Sequence, residues 1–550
     1  MEQNNIGPQT SRFGWLLLVL LAVAAPATAQ RTGQYLLLFR DKTATPFRVD
    51  QPEKFLSARA ILRRQKQQIP VSNRDLPVVP AYVQGLRQAG ARVLYTSRWL
   101  NAALVEATAA QLPALLALPY VGGLETGRVL NNARVDQTTA PAQQSNKFGQ
   151  TEPIPAYGAA DFQLRQLGID EMHGQGYRGE GMLVAILDAG FRRANLVPFL
   201  APLFAEKRVL ATYDFPDRET NVYNDDEHGL NVLSVMAGEL PNQFYGPAFK
   251  ATYLLLRTEI AATENPVEEA YWLLGAEFAD STGADVINSS LGYTTFDNPA
   301  DNHTYADLTG TKTLVSRAAT WAAETGMVVV ASAGNEGGNA WRHISAPADS
   351  PGVLSVGAVD RTGLLARFSS VGPTASSQLK PDLVALGQGT ALGTSDGRIT
   401  TGNGTSFSGP LVAALATGFW QAFPTLTAAQ VRQLLRQSGS RATQPDQQFG
   451  YGIPNFGRAA PFARAQARLA VFPNPFQDAD LLHVPLTEVE QAQPVVLRLT
   501  DLAGRLLAER QYATGQAVKF STQTLGLQAG MYLLTVQNVG QSRTIRLLKR

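Results

Sequence analysis

Gly402-Asn403-Gly404-Thr405-Ser406-Phe407-Ser408-Gly409-Pro410 runs straight into Leu411 to Trp420, a strongly apolar stretch of helical length. Glycine, asparagine and hydroxyl residues ahead of such a run predict a loop that turns into a helix. Ser406 would then stand at a helix N-terminus, where backbone N–H groups without intrahelical partners point outward and favour negative charge. Outward along the chain, two further polar residues occupy comparable junctions. Asp188 closes the run Leu183-Val184-Ala185-Ile186-Leu187, and a tight turn at Gly190 follows. His228, in Asp226-Glu227-His228-Gly229, precedes the apolar stretch Val232 to Ala237. Singly, each has an ordinary role: an aspartate after a strand forms turns, a serine before a helix caps it, and a histidine is a satisfied polar partner. Jointly they supply what acyl transfer needs. A weak hydroxyl nucleophile requires an imidazole to take its proton and a carboxylate to hold that imidazole.

Around these residues, 157–465 alternates strand-like runs with helical patterns. Tyr253-Leu254-Leu255-Leu256, Val286-Ile287, Val328-Val329-Val330-Ala331 and Val353-Leu354-Ser355-Val356 join the run before Asp188 as short, apolar strands. Val267 to Ala279 and Leu314 to Thr325 lie between them and read as helices. This is the pattern of a parallel sheet covered on both faces, an α/β fold, whose sites form at the carboxyl ends of its strands.

The order Asp188, His228, Ser406, with Gly-Thr-Ser-Phe-Ser-Gly-Pro around the serine and glycine after the histidine, resembles the subtilisin-like serine proteases (peptidase S8). The likeness covers about Tyr157 to Ala465, and that chain order is the one subtilisin itself exemplifies. It implies a subtilisin-like parallel sheet covered by helices, and a triad of Asp188, His228 and Ser406. Val330-Ala331-Ser332-Ala333-Gly334-Asn335-Glu336-Gly337 resembles the family's oxyanion segment, which makes Asn335 the side-chain donor and the Ser406 N–H the second donor. Ser289-Ser290-Leu291-Gly292 resembles its substrate-binding edge, with Gly292 admitting a peptide closely. Ala331, Ser332, Ala333 and Gly334 would form the opposite pocket wall. Two departures stand out. Ala189 follows the aspartate where the family often has a hydroxyl, which leaves one hydrogen bond to that carboxylate missing, and Leu230-Asn231-Val232 replaces a small hydroxyl residue and a second histidine. Ser408 stands where a G-x-S-x-G elbow needs glycine, against an α/β-hydrolase esterase.

The flanks read as accessories. Arg12, the apolar run Phe13 to Ala25 and Ala27-Thr28-Ala29 form a secretory signal peptide, 1–29, too short to span a bilayer. Residues 30–130 mix strands and helices in an α+β unit that resembles a subtilase propeptide by position and pattern. The polar stretch 131–156 reads as an exposed linker open to nicking. From 466 to 550, strand runs with Gly turns and no helical pattern predict a small all-β sandwich. Val471-Phe472-Pro473-Asn474-Pro475-Phe476, Asp501-Leu502-Ala503-Gly504-Arg505 and Gly530-Met531-Tyr532-Leu533 in it resemble the C-terminal sorting domain of type IX secretion cargo.

Composition bounds the partners. Among 550 residues, 47 Lys+Arg against 45 Asp+Glu give a net charge of +2, which argues against nucleic acid. The absence of cysteine removes disulfides, thiolate metal sites and a Cys nucleophile. The acidic run Asp225-Asp226-Glu227 fits either helix N-terminal acids or a site for a cation or a basic substrate side chain. No cofactor is required; the resemblance to the subtilisin-like proteases, where calcium is common, leaves room for a structural calcium ion, but no loop has ligand spacing that assigns one, so no metal ligand is named. The resulting expectation is an exported serine endopeptidase made as a precursor. Its partners would be protein or peptide substrates, its own propeptide as intramolecular inhibitor, and the outer-membrane type IX machinery of a Gram-negative bacterium, which would leave it secreted or on the cell surface. A binding or adhesion protein on an inactive scaffold, and a processing enzyme for one partner, are the alternatives.

Overall fold

A computed structural model of the chain describes residues 32–132, 157–468 and 471–550, the last without 472–473, 479, 487–489, 491, 517 and 539–540. The signal-peptide expectation and nearly all of the linker expectation lie outside these residues.

The first unit holds β1 (Thr32–Phe39), α1 (Ala58–Gln67), α2 (Pro80–Gln88), β2 (Arg92–Ser97), β3 (Ala102–Thr108), α3 (Leu112–Leu116), β4 (Val121–Leu124) and β5 (Asn131–Asn132). Its sheet runs β2-β3-β1-β4, with β5 also on β1, all antiparallel. Asn131 and Asn132 therefore belong to this sheet, two residues into the stretch expected to be linker. Ser57 caps α1 by accepting a hydrogen bond from Ala60 N at 3.1 Å, and the helix ends where Gln68 turns left-handed.

The second unit is built on a seven-stranded parallel sheet. Its elements are α4 (Asp161–Gln166), α5 (Ile169–Gly174), β6 (Leu183–Asp188), α6 (Ala201–Ala205), β7 (Val209–Asp214), α7 (His228–Ala237), β8 (Glu239–Leu240), β9 (Phe244–Tyr245), β10 (Thr252–Arg257), α8 (Val267–Thr282), β11 (Val286–Ser289), α9 (Leu314–Glu324), β12 (Val328–Ser332), β13 (Val353–Val359), β14 (Leu383–Leu386), β15 (Gln388–Gly393), β16 (Ile399–Asn403), α10 (Thr405–Ala422), α11 (Ala428–Gln437) and α12 (Phe456–Arg468). The strand order is β14-β13-β12-β11-β6-β10-β7. Every residue of β6 is buried, because both faces of the sheet are covered. Val184 and Ile186 enter the core beneath α7 and α10, while Leu183, Ala185 and Leu187 enter the core beneath α8 and α9. Strands β7 and β14, which flank the sheet, were not among the runs the sequence singled out, and Val209–Asp214 is only partly buried until its last residue.

The first unit packs on this second core: Leu36, Trp99, Ala102, Leu104 and Leu130 share it with residues of α8 and α9. The junction is also ionic. Asp280 of α8, fully buried, takes Arg63 at 2.5 Å, Arg64 at 2.8 Å and Arg98, all from the first unit. One turn earlier, Glu277 accepts hydrogen bonds from Ser97 Oγ at 2.5 Å and from the N–H groups of Arg98 and Trp99, each at 3.0 Å.

The last unit has β17 (Leu481–His483), β18 (Val495–Asp501), β19 (Leu506–Tyr512), β20 (Lys519–Ser521), β21 (Gly530–Asn538) and β22 (Gln541–Lys549). A sheet β19-β18-β21-β22 and a pair β17-β20 enclose one core, with Leu497, Leu499 and Leu534 from the first against Leu482 and Phe520 from the second. The all-β expectation holds. No helix among the described residues is long and apolar enough to cross a membrane.

Candidate active site

Asp188, His228 and Ser406 come from the end of β6, the first residue of α7 and the second residue of α10. Asp188 is fully buried, and its Oδ1 lies 2.7 Å from His228 Nδ1 while accepting the Ala189 N–H at 2.8 Å. Its Oδ2 has no hydrogen-bond partner among the described residues, as the alanine at 189 led one to expect. Two glycines allow this approach. A Cβ on Gly229 would meet Gly190 O at 2.4 Å and Asp188 Cβ at 3.0 Å, and Gly190 itself has φ +149° with Asp226 N 2.6 Å from where its Cβ would be. Burial works against a charged imidazole at 228, but the Asp188 carboxylate, through its charge and hydrogen bond, outweighs it with help from Asp226 and Glu259. The His228 pKa is pushed up to about 9.

Ser406 sits where the chain turns through Gly404 (φ +153°) into α10. Its N–H has no acceptor among the described residues, as expected in a first helical turn. Its Oγ donates to Ser290 O at 3.3 Å, and no hydrogen bond joins it to His228. The carbonyl of Ser406 lacks the usual helical bond, because Pro410, four residues on, has no N–H to give it. Ser290 Oγ donates to that carbonyl instead, at 3.0 Å. Asn335 is exposed, and its Oδ1 accepts from Thr405 N at 2.9 Å and from Thr405 Oγ1 at 3.0 Å. The Asn335 amide nitrogen, like the Ser406 N–H, has no acceptor among the described residues. Ser332 Oγ secures the same turn through Thr405 O at 3.0 Å.

Several residues singled out in the sequence hold the frame. Ser289 lies within the sheet, paired with Leu187 and Ala331, and its Oγ accepts from Trp272 Nε1 at 2.9 Å. Ala331 and Ala333 are fully buried, and Gly334 takes φ +108°. A Cβ on Gly292 would strike Ser345 Cβ at 2.9 Å, so its missing side chain is accounted for by protein packing. Ser290 and Leu291 follow the strand end and are nearly buried. The acidic run before His228 is engaged internally. Asp225 lies 3.2 Å from Arg257 Nη1, Asp226 Oδ1 accepts from His228 N at 2.7 Å, and Glu227 accepts from Ser395 N at 3.2 Å. The contacts of Thr405, Pro410 and Arg257 were not read from the sequence, although the first two lie in the stretch quoted around Ser406. Only Pro410 carried a local signal, a proline four residues after a helix-borne serine.

Ser406 precedes Phe407, whose ring centroid lies 6.0 Å from that of the carboxylate-backed His228, and a hydroxyl, an imidazole and a carboxylate so grouped are the parts of acyl transfer, the chemistry of the serine hydrolases. Comparison with known proteins narrows that class. The model of the subtilase family matches residues 179–452, that of the peptidase S8 propeptide domain of Bacteroidota 34–145, and that of the secretion system C-terminal sorting domain 470–550. Subtilisin NAT of Bacillus subtilis subsp. natto is 31% identical over 291 residues, which span 52% of this chain and 68% of that protein. Subtilisin of Bacillus pumilus is also 31% identical, over 52% of this chain and 94% of its own length. Among solved structures, MycP1 from Mycobacterium smegmatis is 24% identical with a TM-score of 0.44, covering 56% of this chain and 85% of that one. The chain belongs to the subtilase family. It is a serine-type endopeptidase with a propeptide domain and a type IX sorting domain, the latter indicating export to the cell surface or beyond.

Proposed function

We propose that Ser406 Oγ attacks the carbonyl of a scissile peptide bond while His228 Nε2 takes its proton. The tetrahedral oxyanion is held by the Ser406 N–H and the Asn335 side-chain amide, and collapse gives an acyl-enzyme as His228 returns the proton to the leaving amine. A water activated by the same imidazole then releases the acid. Asp188 keeps His228 in the tautomer that carries its proton on Nδ1. For attack, the Ser406 hydroxyl leaves Ser290 O and turns to His228, an adjustment expected where catalytic hydrogen bonds are loose before substrate arrives. The observation that carries this reading is the 2.7 Å bond between the buried Asp188 and His228 Nδ1. Side chains and backbone supply the whole reaction.

The same reading takes 1–29 as the signal peptide that leads to the periplasm, 30–130 as an inhibitor in cis, 131–156 as the region cut during maturation, 157–465 as the peptidase domain, and 466–550 as the passport through the outer-membrane machinery. Ser290, Leu291 and Gly292 would line an extended substrate on one side, with Ser332 to Gly334 opposite. The test is intact mass over time for residues 30–550, wild type beside Ser406→Ala. Loss of about 100 N-terminal residues in the wild type alone is the expected result. If both chains stay whole and neither cuts unfolded casein, the proposal is wrong.

A further inference from the structure

Two acidic clusters lie outside the candidate catalytic group, and they differ in what balances them. Asp214, Asp217 and Asp225 surround Arg257 Nη1, at 2.8, 2.7 and 3.2 Å, so their charge is met within the protein. Glu259, Glu264 and Glu268 form no ion pair with a Lys, Arg or His side chain among the described residues, although Glu259 lies near enough to His228 for each to feel the other's charge. Each directs one carboxylate oxygen to a common point, with all three oxygens within 4.8 Å of one another. Glu268, the second residue of α8, is fully buried, and neither of its oxygens has a hydrogen-bond partner among the described residues. The neighbouring groups shape this point: Tyr293 Oη donates to Glu259 Oε2 at 3.0 Å, and Glu264 O accepts from Asp297 N at 2.9 Å.

An ionised carboxylate without a partner is strongly disfavoured in a protein interior, and three facing one another repel. The donor set is all oxygen, which selects hard cations over softer metals. Calcium–oxygen distances of about 2.3–2.6 Å put opposite ligands of one ion no more than about 5 Å apart, a limit the three oxygens meet. A basic substrate side chain is the rival source of positive charge. The full burial of Glu268 speaks for a small ion, since a guanidinium would have to open the start of α8 to reach it. We infer that Glu259, Glu264 and Glu268 bind one calcium ion, which fixes the 259–268 segment against Tyr293. Tyr293 directly follows Ser290-Leu291-Gly292, so the ion would brace the segment proposed to carry substrate.

The experiment uses full-length Ser406→Ala chain stripped with a chelator, to which calcium chloride is added in equilibrium dialysis and thermal unfolding. The double variants S406A/E268Q and S406A/E264Q are run beside it. The parent is expected to bind one more calcium per chain than either double variant, or to bind it at least tenfold more tightly, and to gain a calcium-dependent rise in Tm that both variants lack. Without calcium, E268Q should be no less stable than the parent, because it removes a buried repulsion, which separates a lost ligand from a damaged fold. Equal stoichiometry and affinity in parent and variants would overturn the inference. If E268Q does not fold, E264Q decides alone. Unchanged calcium binding with a selective loss of kcat/KM for peptides bearing a basic residue, measured in E268Q with Ser406 intact, would assign the cluster to substrate and overturn it too.

Discussion

Replacing Asp280 by asparagine should loosen the first unit from the peptidase without touching catalysis. Asp280 lies near the C-terminal end of α8 and is fully buried among Arg63, Arg64 and Arg98. The three guanidiniums, together with their hydrogen bonds, hold its carboxyl below the usual range even though burial pushes the other way. Removing one partner of a buried ion pair typically costs about 3–5 kcal/mol, because the remaining charge is left uncompensated. The loss here should sit at or below the lower end, about 2–3 kcal/mol, since Arg64 keeps Asp75 at 2.8 Å and asparagine still accepts a hydrogen bond. At about 1.4 kcal/mol per factor of ten, the inhibition constant of a separate 30–132 fragment should rise about 30- to 150-fold. Processed wild-type and D280N enzymes would be compared by progress curves with a peptide substrate. Uninhibited kcat/KM should match, and the weakening should persist at high salt because the pair is shielded from solvent. A change of less than about threefold would refute the reasoning and put the docking energy in the apolar contacts of Leu36, Trp99 and Leu104.

Asn335→Leu should lower kcat by about 10²–10³ with little change in KM, the loss known for one oxyanion donor in subtilisin, and stopped-flow acylation would read it. Because the base must be neutral and the folded enzyme raises the His228 pKa to about 9, kcat/KM should climb with pH through the 7–9 window; a profile flat from pH 6 upward would contradict the geometry. Asp188→Asn removes the charge that raises this pKa, so any residual activity should show its acid limb at lower pH, with kcat down about 10⁴-fold as in other serine proteases. Gly229→Ala places a methyl 2.4 Å from Gly190 O, and the displacement of His228 should abolish self-processing by intact mass while leaving secondary structure by circular dichroism.

What could be read in the chain and what could not divide along a physical line. Continuous apolar runs announced β6, β10, β11, β12 and β13, since strands buried on both faces need no alternation. Val209–Asp214 escaped because it is half-exposed, and Leu383–Leu386 because four residues after a proline make a weak pattern. Asp188, His228 and Ser406 were legible as junction residues, and the structure brings the first two into contact. Their supports were not. Arg257 meets Asp225 from 32 positions away, Ser290 reaches Ser406 across 116, and Arg63 finds Asp280 across 217. No periodicity encodes such pairings, because they depend on how strands are ordered in the sheet.

The proline at 410 has a consequence for accuracy of attack. In an uninterrupted helix the carbonyl of Ser406 would be tied to its own fourth successor, and the serine would inherit every small shift of an 18-residue rod. Here that tie is absent, and the serine is fastened in both directions to Ser290, through Oγ to carbonyl and carbonyl to Oγ. Ser406 is thus gauged against the segment proposed to carry the substrate, and the bond to its carbonyl remains when the hydroxyl turns to His228 in the proposed attack. Reactions that lose rate steeply with misplacement of about 1 Å reward such a common datum, and a helix with alanine at 410 would have given it up.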